Sequence, residues 1–361
     1  MRANLRCAAA LVSIACCLMS SAWCEEKAQA GAPASEIGAS VQFGPDVQQR
    51  FALSDFRGKL VLVVYFQSWC GICNGWSPGL FKQIEQAAGD KPEVVLLAVK
   101  TDGGGWNGAT GYLKTRITDP SRWLIATDRE ATWYQVAVGT DELYGYMVIG
   151  PDGKVVSSGK AGMFYDSGPD KGKFCLAADL DEYIKKTQPA TILPKGKTYH
   201  ESLKPAVRAA EMRQFAIAWQ LCAKTSPKEA MTSAVELKKD LTDWAAERVK
   251  TLGLVLADEK AAGETKFDAY VELRQIADGL PGTDPGKKAR TAAAAAAKDK
   301  AIVREIQAQN DYLVLMAKAA DSRQKLVKNA EFAAALKALA RKYPDTRYGK
   351  MADADAARIA G

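Results

Sequence analysis

Two cysteines two residues apart, in Trp69-Cys70-Gly71-Ile72-Cys73, are the side chains of this sequence best suited to chemistry. A thiolate at the first position can attack an external disulfide. The second, one helical turn further on, can then resolve the mixed disulfide and release the substrate. The flanking sequence favours this use. An apolar, β-branched run, Leu60-Val61-Leu62-Val63-Val64-Tyr65-Phe66, precedes the pair, and helical spacing follows from Pro78 through Ala87. Cys70 should therefore sit at the amino end of a helix, where free N–H groups and the dipole lower a thiol pKa from about 8.5 toward about 7 or below. The same pair also reads as a structural disulfide or as half of a zinc site. Zinc usually takes four Cys or His ligands, and past the opening segment only Cys175, Cys222 and His200 remain.

The other candidates carry less. Cys175 and Cys222 form a candidate disulfide between the last helix of the first half and the first helix of the second, since unpaired exposed thiols are unusual in oxidising compartments. His200 is the only histidine. It reads as a linker residue, because nothing beside it would orient an imidazole as a base. Without a second histidine, Cys/His protease chemistry has little support.

The elements around the pair indicate an α/β unit. Val94 to Val99 and Tyr146 to Ile149 repeat the apolar character of the first run and predict strands buried on both faces. The last of them closes on Gly150-Pro151-Asp152-Gly153 before Lys154-Val155-Val156, a hairpin. The expected order is strand, helix, strand, helix, hairpin and a final helix from about Leu176 to Lys186, which requires a mixed sheet.

With that frame in place, the stretch from Phe51-Ala52-Leu53-Ser54-Asp55-Phe56-Arg57-Gly58-Lys59 through Trp69-Cys70-Gly71-Ile72-Cys73 to Pro78 resembles thioredoxin-fold disulfide reductases of the exported TlpA-like kind. The resemblance extends over roughly residues 40 to 187. It implies Cys70 as attacking thiol, Cys73 as resolving thiol, Trp69 as a flanking, substrate-facing aromatic and Pro78 as the residue that bends the active-site helix. The family's cis-proline position aligns with Tyr144, so a trans backbone and a rearranged loop are expected there, because a cis bond before a non-proline residue costs about 2.5 to 4 kcal/mol. Thioredoxins also place a buried acid where this chain has Val64. Peroxiredoxins share the Asp55-Phe56-Arg57-Gly58-Lys59 segment, but Gln67 stands where they carry Thr or Ser three residues before the attacking cysteine.

Composition bounds the rest. At 361 residues, 48% hydrophobic and 25% charged, the chain should fold, and it is long enough for two domains. Lys and Arg exceed Asp and Glu by 7 without forming arginine blocks, so nothing points to nucleic acid. Arg2 and Arg6 followed by the apolar run Cys7 to Cys24 have the layout of a secretory signal, cleaved near Ala30 or retained as a membrane anchor. That predicts an exported, periplasmic or extracytoplasmic protein touching a membrane only through residues 1–30.

Residues 31–190 are expected to form the thioredoxin-like domain, 191–200 a linker, and 201–361 an all-α helical-hairpin domain. In the last, Leu273 to Ala289 and Leu336 to Ala352 align at an offset of 63 residues, matching Pro281 with Pro344, Thr283 with Thr346 and Gly286 with Gly349. These units resemble tetratricopeptide-like hairpins, packed on Leu273, Ile276, Leu336, Leu339 and Tyr343. Ser226-Pro227-Lys228-Glu229 reads as a capping box opening a helix with Met231, Val235, Leu237, Leu241 and Trp244. Ala292 to Ala297 reads as part of one long helix. Two functions fit this sequence. One is a disulfide oxidoreductase without a cofactor, acting on protein thiols and disulfides and on a redox partner. The other is a redox-inactive scaffold whose helical half recruits a protein.

Overall fold

The computed structural model describes residues 30–38, 41–43, 51–139, 144–225, 228–322 and 325–360. Six strands form one mixed sheet: β1 (Val41–Phe43), β2 (Leu60–Phe66), β3 (Val94–Lys100), β4 (Trp123–Asp128), β5 (Gly145–Ile149) and β6 (Val155–Lys160). Their spatial order is β1-β4-β3-β2-β5-β6. β3 runs parallel to both β2 and β4, whereas β1 is antiparallel to β4, β5 to β2 and β6 to β5. The helices beside this sheet are α1 (Gly71–Ala88), α2 (Gly105–Leu113), α3 (Thr132–Val138), α4 (Cys175–Ala178) and α5 (Leu180–Thr187).

β2 is central and buried along its whole length. Side chains alternate across a strand, so one run feeds two cores. Leu60, Leu62, Val64 and Phe66 pack with Leu80, Phe81 and Ile84 of α1, whereas Val61, Val63 and Tyr65 pack with Trp133 and Tyr134 of α3. A strand covered on both faces shows a continuous apolar run, as the sequence does.

The structure adds to the expected order. β1 and β4 were not anticipated, and they widen the sheet from four strands to six. The expected final helix is two pieces, α4 and α5, meeting at Asp179.

The second half is helical: α6 (Lys204–Glu211), α7 (Phe215–Ala223), α8 (Lys228–Ala257), α9 (Gly263–Gly279), α10 (Asp284–Ala296), α11 (Lys300–Ser322), α12 (Ala330–Lys342) and α13 (Arg347–Ala360). Leu273, Ile276, Leu336, Leu339 and Tyr343 are all buried. On α8, Leu237 and Leu241 are buried, but Met231 and Val235 are exposed. Residues 226–227 of the expected capping box lie outside the described residues. The alanine run closes the short helix α10 and does not continue into a longer one: Asp299 accepts from the Ala301 N–H at 2.8 Å at the start of α11.

Two turns in this half share one construction. Thr283 donates its hydroxyl to the Leu280 carbonyl (2.8 Å) and accepts from the Gly286 N–H (3.2 Å). Thr346 does the same with Tyr343 (2.9 Å) and Gly349 (3.0 Å). Each glycine lies so close to the preceding turn that an added Cβ would stand 1.8 Å from the Leu280 or Tyr343 carbonyl oxygen. Gly349→Ala is therefore expected to destabilise the fold by about 1–3 kcal/mol or more. Gly253→Ala, mid-helix with nothing within 4 Å, should stabilise it by about 0.5–1 kcal/mol. Urea midpoints that moved the same way for both would contradict this account of the turn.

The two halves are joined through buried polar contacts. Arg358 on α13 donates to the carbonyls of Val136 (3.3 Å) and Ala137 (3.0 Å), capping the carboxyl end of α3, and to the Ser35 hydroxyl (2.9 Å). Asp355 accepts from Ser35 and from Tyr312, each at 2.6 Å. Burial pushes the Asp355 carboxyl up, opposed by Arg358 beside it. Ile192 and Leu193, in the segment read as a linker, are buried in the helical core.

The lead-in to β2 is tied to the same half. Asp55 accepts from Gln275 at 2.6 Å, Arg57 lies 3.7 Å from Asp268, and the Lys59 ammonium pairs with Glu211 of α6. These ties are at the amino end of β2. The cysteine pair is at its other end, about 20 Å away for a strand of this length.

Candidate redox site

Cys70 is the N-cap residue of α1, directly after the loop leaving β2. It is disulfide-bonded to Cys73, with the two Cα atoms 5.2 Å apart. The Cys70 sulfur also accepts from the Cys73 backbone N–H at 3.3 Å. The two sulfurs differ in access: Cys70 is 5% exposed and Cys73 is 0% exposed. An incoming partner thus meets Cys70 first, and the helix geometry holds Cys73 behind it. Trp69, immediately before, is 64% exposed.

The loop is braced by charges that sequence reasoning missed. Ser68 donates its hydroxyl to Asp102 at 2.7 Å, and its N–H lies 3.3 Å from both carboxylate oxygens of Asp102. Asp102 in turn pairs with the buried Lys100 ammonium at 2.7 Å. Lys100 stands opposite Phe66 in the parallel register of β2 and β3, so the end of β3 supports the start of the active loop. The available signal was a lysine closing an otherwise apolar run, followed two residues later by an acid.

Arg116 braces the outer side of α1. It donates to Asn74 (3.0 Å) and Ser77 (2.9 Å) and lies 3.7 Å over the Tyr112 ring. Charges bonded in this way fix a loop more than they stabilise a fold.

An aromatic surface adjoins the pair. Trp76, one turn past Cys73, meets Tyr144 edge to face at 5.5 Å and Phe174 at 6.3 Å; Phe164, 59% exposed, meets Phe174 at 6.4 Å. Gly162 lets the Trp76 indole approach, since a Cβ there would lie 2.9 Å from it. Tyr144 is thus brought to the site region, while residues 141–143 of the expected rearranged loop lie outside the described residues. Pro78 is inside α1, and the helix continues through it to Ala88. Val64 is buried where the resemblance looks for an acid.

The interdomain disulfide expected between Cys175 and Cys222 is not formed. Cys222 is a free, buried thiol, and burial pushes its pKa up. Cys175 takes part in a disulfide, but not with Cys222. The reason is placement: Cys175 opens α4, which packs beside α1, whereas Cys222 on α7 packs into the helical core. His200 is far from the redox pair in function as well as in sequence, because its Nδ1 lies 2.9 Å from the Ser202 hydroxyl and caps a short helical turn.

Comparison with solved structures finds similar chains. A candidate protein disulfide isomerase of Bacteroides thetaiotaomicron is 20% identical, covering 44% of this chain and 91% of its own, with a TM-score of 0.35. A candidate DsbE thiol:disulfide interchange protein of Chlorobium tepidum is 19% identical over 45% of this chain and 99% of its own, with a TM-score of 0.34. The thioredoxin domain of a Bacteroides vulgatus thiol-disulfide oxidoreductase is 19% identical over 44% and 99%, with a TM-score of 0.32. No protein-family model and no curated protein matches the chain. The first half has a thioredoxin-like fold, carried by its own topology: a central β2 flanked by parallel β3 and antiparallel β5, with the cysteine pair starting the helix after β2.

Proposed function

We propose that this chain is an exported thiol–disulfide oxidoreductase acting on protein disulfides through Cys70 and Cys73, with residues 31–190 as the redox domain and 201–361 as a domain that recruits a protein partner. The observation that carries the reading is the asymmetric Cys70–Cys73 disulfide at the amino end of α1. In the reduced protein the Cys70 thiolate attacks a substrate disulfide, forming a Cys70–substrate disulfide and releasing one substrate sulfur, which takes up a proton. Cys73 then loses its proton and attacks the Cys70 sulfur, releasing the second substrate thiol and leaving the Cys70–Cys73 disulfide. Two electrons and two protons pass to the substrate; reversing the steps oxidises a dithiol.

The helix N-terminus and the Cys73 N–H favour the charged sulfur on which both steps depend. Trp69 and the Trp76–Tyr144–Phe164 surface would hold the apolar flanks of a substrate cysteine. Trp69→Ala is expected to raise KM for reduced or oxidised protein substrates severalfold while leaving the unfolding free energy from urea titration within about 0.5 kcal/mol of the parent, as befits an exposed side chain. An unchanged KM would remove Trp69 from substrate contact.

Export rests on the opening sequence, which lies outside the described residues; among those described, no helix is long and apolar enough to cross a membrane. One observation favours the scaffold reading: Cys70 is barely exposed. Catalytic turnover of a disulfide substrate, lost with Cys70, decides for the oxidoreductase.

A further inference from the structure

A second feature lies at the opposite end of the sheet from the cysteines. A cavity of about 310 Å³ opens between the start of β3, the turn before β4 that carries Arg122, the segment 197–200 and α6. Its walls are apolar where Val94, Leu96, Tyr199 and Val207 contribute, and two arginines, Arg122 and Arg208, enter it from the two halves of the chain.

These arginines are unusual in what they lack. Arg122 Nε and Arg208 Nη1 are buried donors without a hydrogen-bond partner among the described residues. Among the described residues, the Arg122 outer nitrogens make a single long bond, from Nη2 to the Lys91 carbonyl at 3.4 Å. An unpaired buried donor is costly, more so when charged. The two guanidinium groups also repel each other: burial and the charge of Arg122 push Arg208 down to about 10, against the opposing pull of Asp119. Burial pushes Arg122 down as well, against the opposing pull of Asp90 and Asp119.

The remaining charges at the cavity are largely engaged elsewhere. Lys197 pairs with Asp240 at 2.5 Å, Lys204 with Glu201 at 2.9 Å, and Glu211 with Lys59. Asp90 and Asp119 line the cavity too, yet neither satisfies the buried Arg122 and Arg208 donors. A guanidinium is built to present a planar fork to an oxyanion, and two of them facing one cavity leave a place that an oxyanion would fill.

We propose that this cavity binds a small oxyanion, a phosphate or carboxylate group carried on a compact apolar body, between Arg122 and Arg208. The head group's charge meets the two guanidinium groups that line the cavity, and the apolar wall takes the body. Because one arginine comes from the α/β half and the other from the helical half, the ligand also links the halves. The site is separate from the redox pair and does not depend on the function proposed for it.

Calorimetric titration of the full chain with phenyl phosphate, benzoate and inorganic phosphate tests this. Saturable one-to-one binding of phenyl phosphate or of benzoate is expected, and the better of the two identifies the head group. Arg208→Gln should weaken that binding by about tenfold or more, the worth of a charge-assisted hydrogen bond, and Arg208→Lys by less. In buffer free of phosphate and carboxylate, Arg208→Gln should melt no lower than the parent, since it removes a buried repulsion. Arg122→Lys provides a second variant should Arg208→Gln not fold, and it too should weaken binding. No saturable binding of either aromatic anion, or binding that these substitutions leave unchanged, would overturn the proposal.

Discussion

Replacing Cys70 by serine is expected to reduce turnover of insulin or of a small aromatic disulfide to the uncatalysed background, a loss of roughly three orders of magnitude or more. Serine keeps the N-cap acceptor, so the helix and the fold should survive; what goes is the only sulfur of the pair with access to solvent. Cys73→Ser should behave differently. Its Cys70 can still attack, but nothing behind it resolves the product, so a Cys70–substrate disulfide should accumulate and appear as one added substrate mass per chain. No turnover by the parent chain, or turnover that survives Cys70→Ser, would favour the scaffold reading.

The second large effect concerns stability. Glu211→Ala is expected to destabilise the protein by about 3–5 kcal/mol, because it leaves a buried ammonium without its counter-charge. Lys59 and Glu211 are both buried, and burial pushes Lys59 below the usual lysine range while Glu211 pulls it back. Glu211 also accepts from the N–H groups of Ile192 (2.9 Å) and Leu193 (2.8 Å), which fix the connection between the halves. Removing the carboxylate orphans three donors together. The double variant Lys59→Met with Glu211→Gln should recover part of the loss, since the buried charge is gone and the amide oxygen keeps one N–H bond; the other is lost, because Ile192 and Leu193 donate to different carboxylate oxygens. Urea unfolding of the two variants measures this, and a single variant within about 1 kcal/mol of the parent would show that the pair does not hold the halves together.

The sequence made the redox end of the molecule readable because the chemistry there is local. Trp69, Cys70 and Cys73 are adjacent or nearly so, and three residues separate the apolar run of β2 from Cys70. Both cores are written into that run by alternation, even though burial on two faces hides the alternation from a polarity pattern. β4 was not legible for the opposite reason. It ends in Thr127 and Asp128, both buried, and Asp128 serves the N–H groups of Trp133 (3.2 Å) and Tyr134 (2.8 Å). Polar residues with tertiary partners look like loop in a sequence.

The junction between the halves shows the same limit more strongly. Ser35, Tyr312, Asp355 and Arg358 are hydrogen-bonded together across as many as 323 residues, and no local spacing announces them. Lys100 and Asp102 occupy a middle position: the lysine breaks an apolar strand visibly, but its role emerges only when β3 is placed beside β2. In the helical half, matched Thr and Gly positions did reveal the two turns, because there a threonine and a glycine three residues apart are the whole device.

The most direct test of the redox assignment is the rate at which iodoacetamide modifies the reduced, folded chain as a function of pH, followed residue by residue by mass spectrometry. Rapid modification of Cys70 near neutral pH is predicted, half-maximal well below the value of about 8.5 of an ordinary thiol, with Cys73 and Cys222 protected until the protein unfolds. Cys70 reacting no faster than a model thiol, or only after unfolding, would contradict the account.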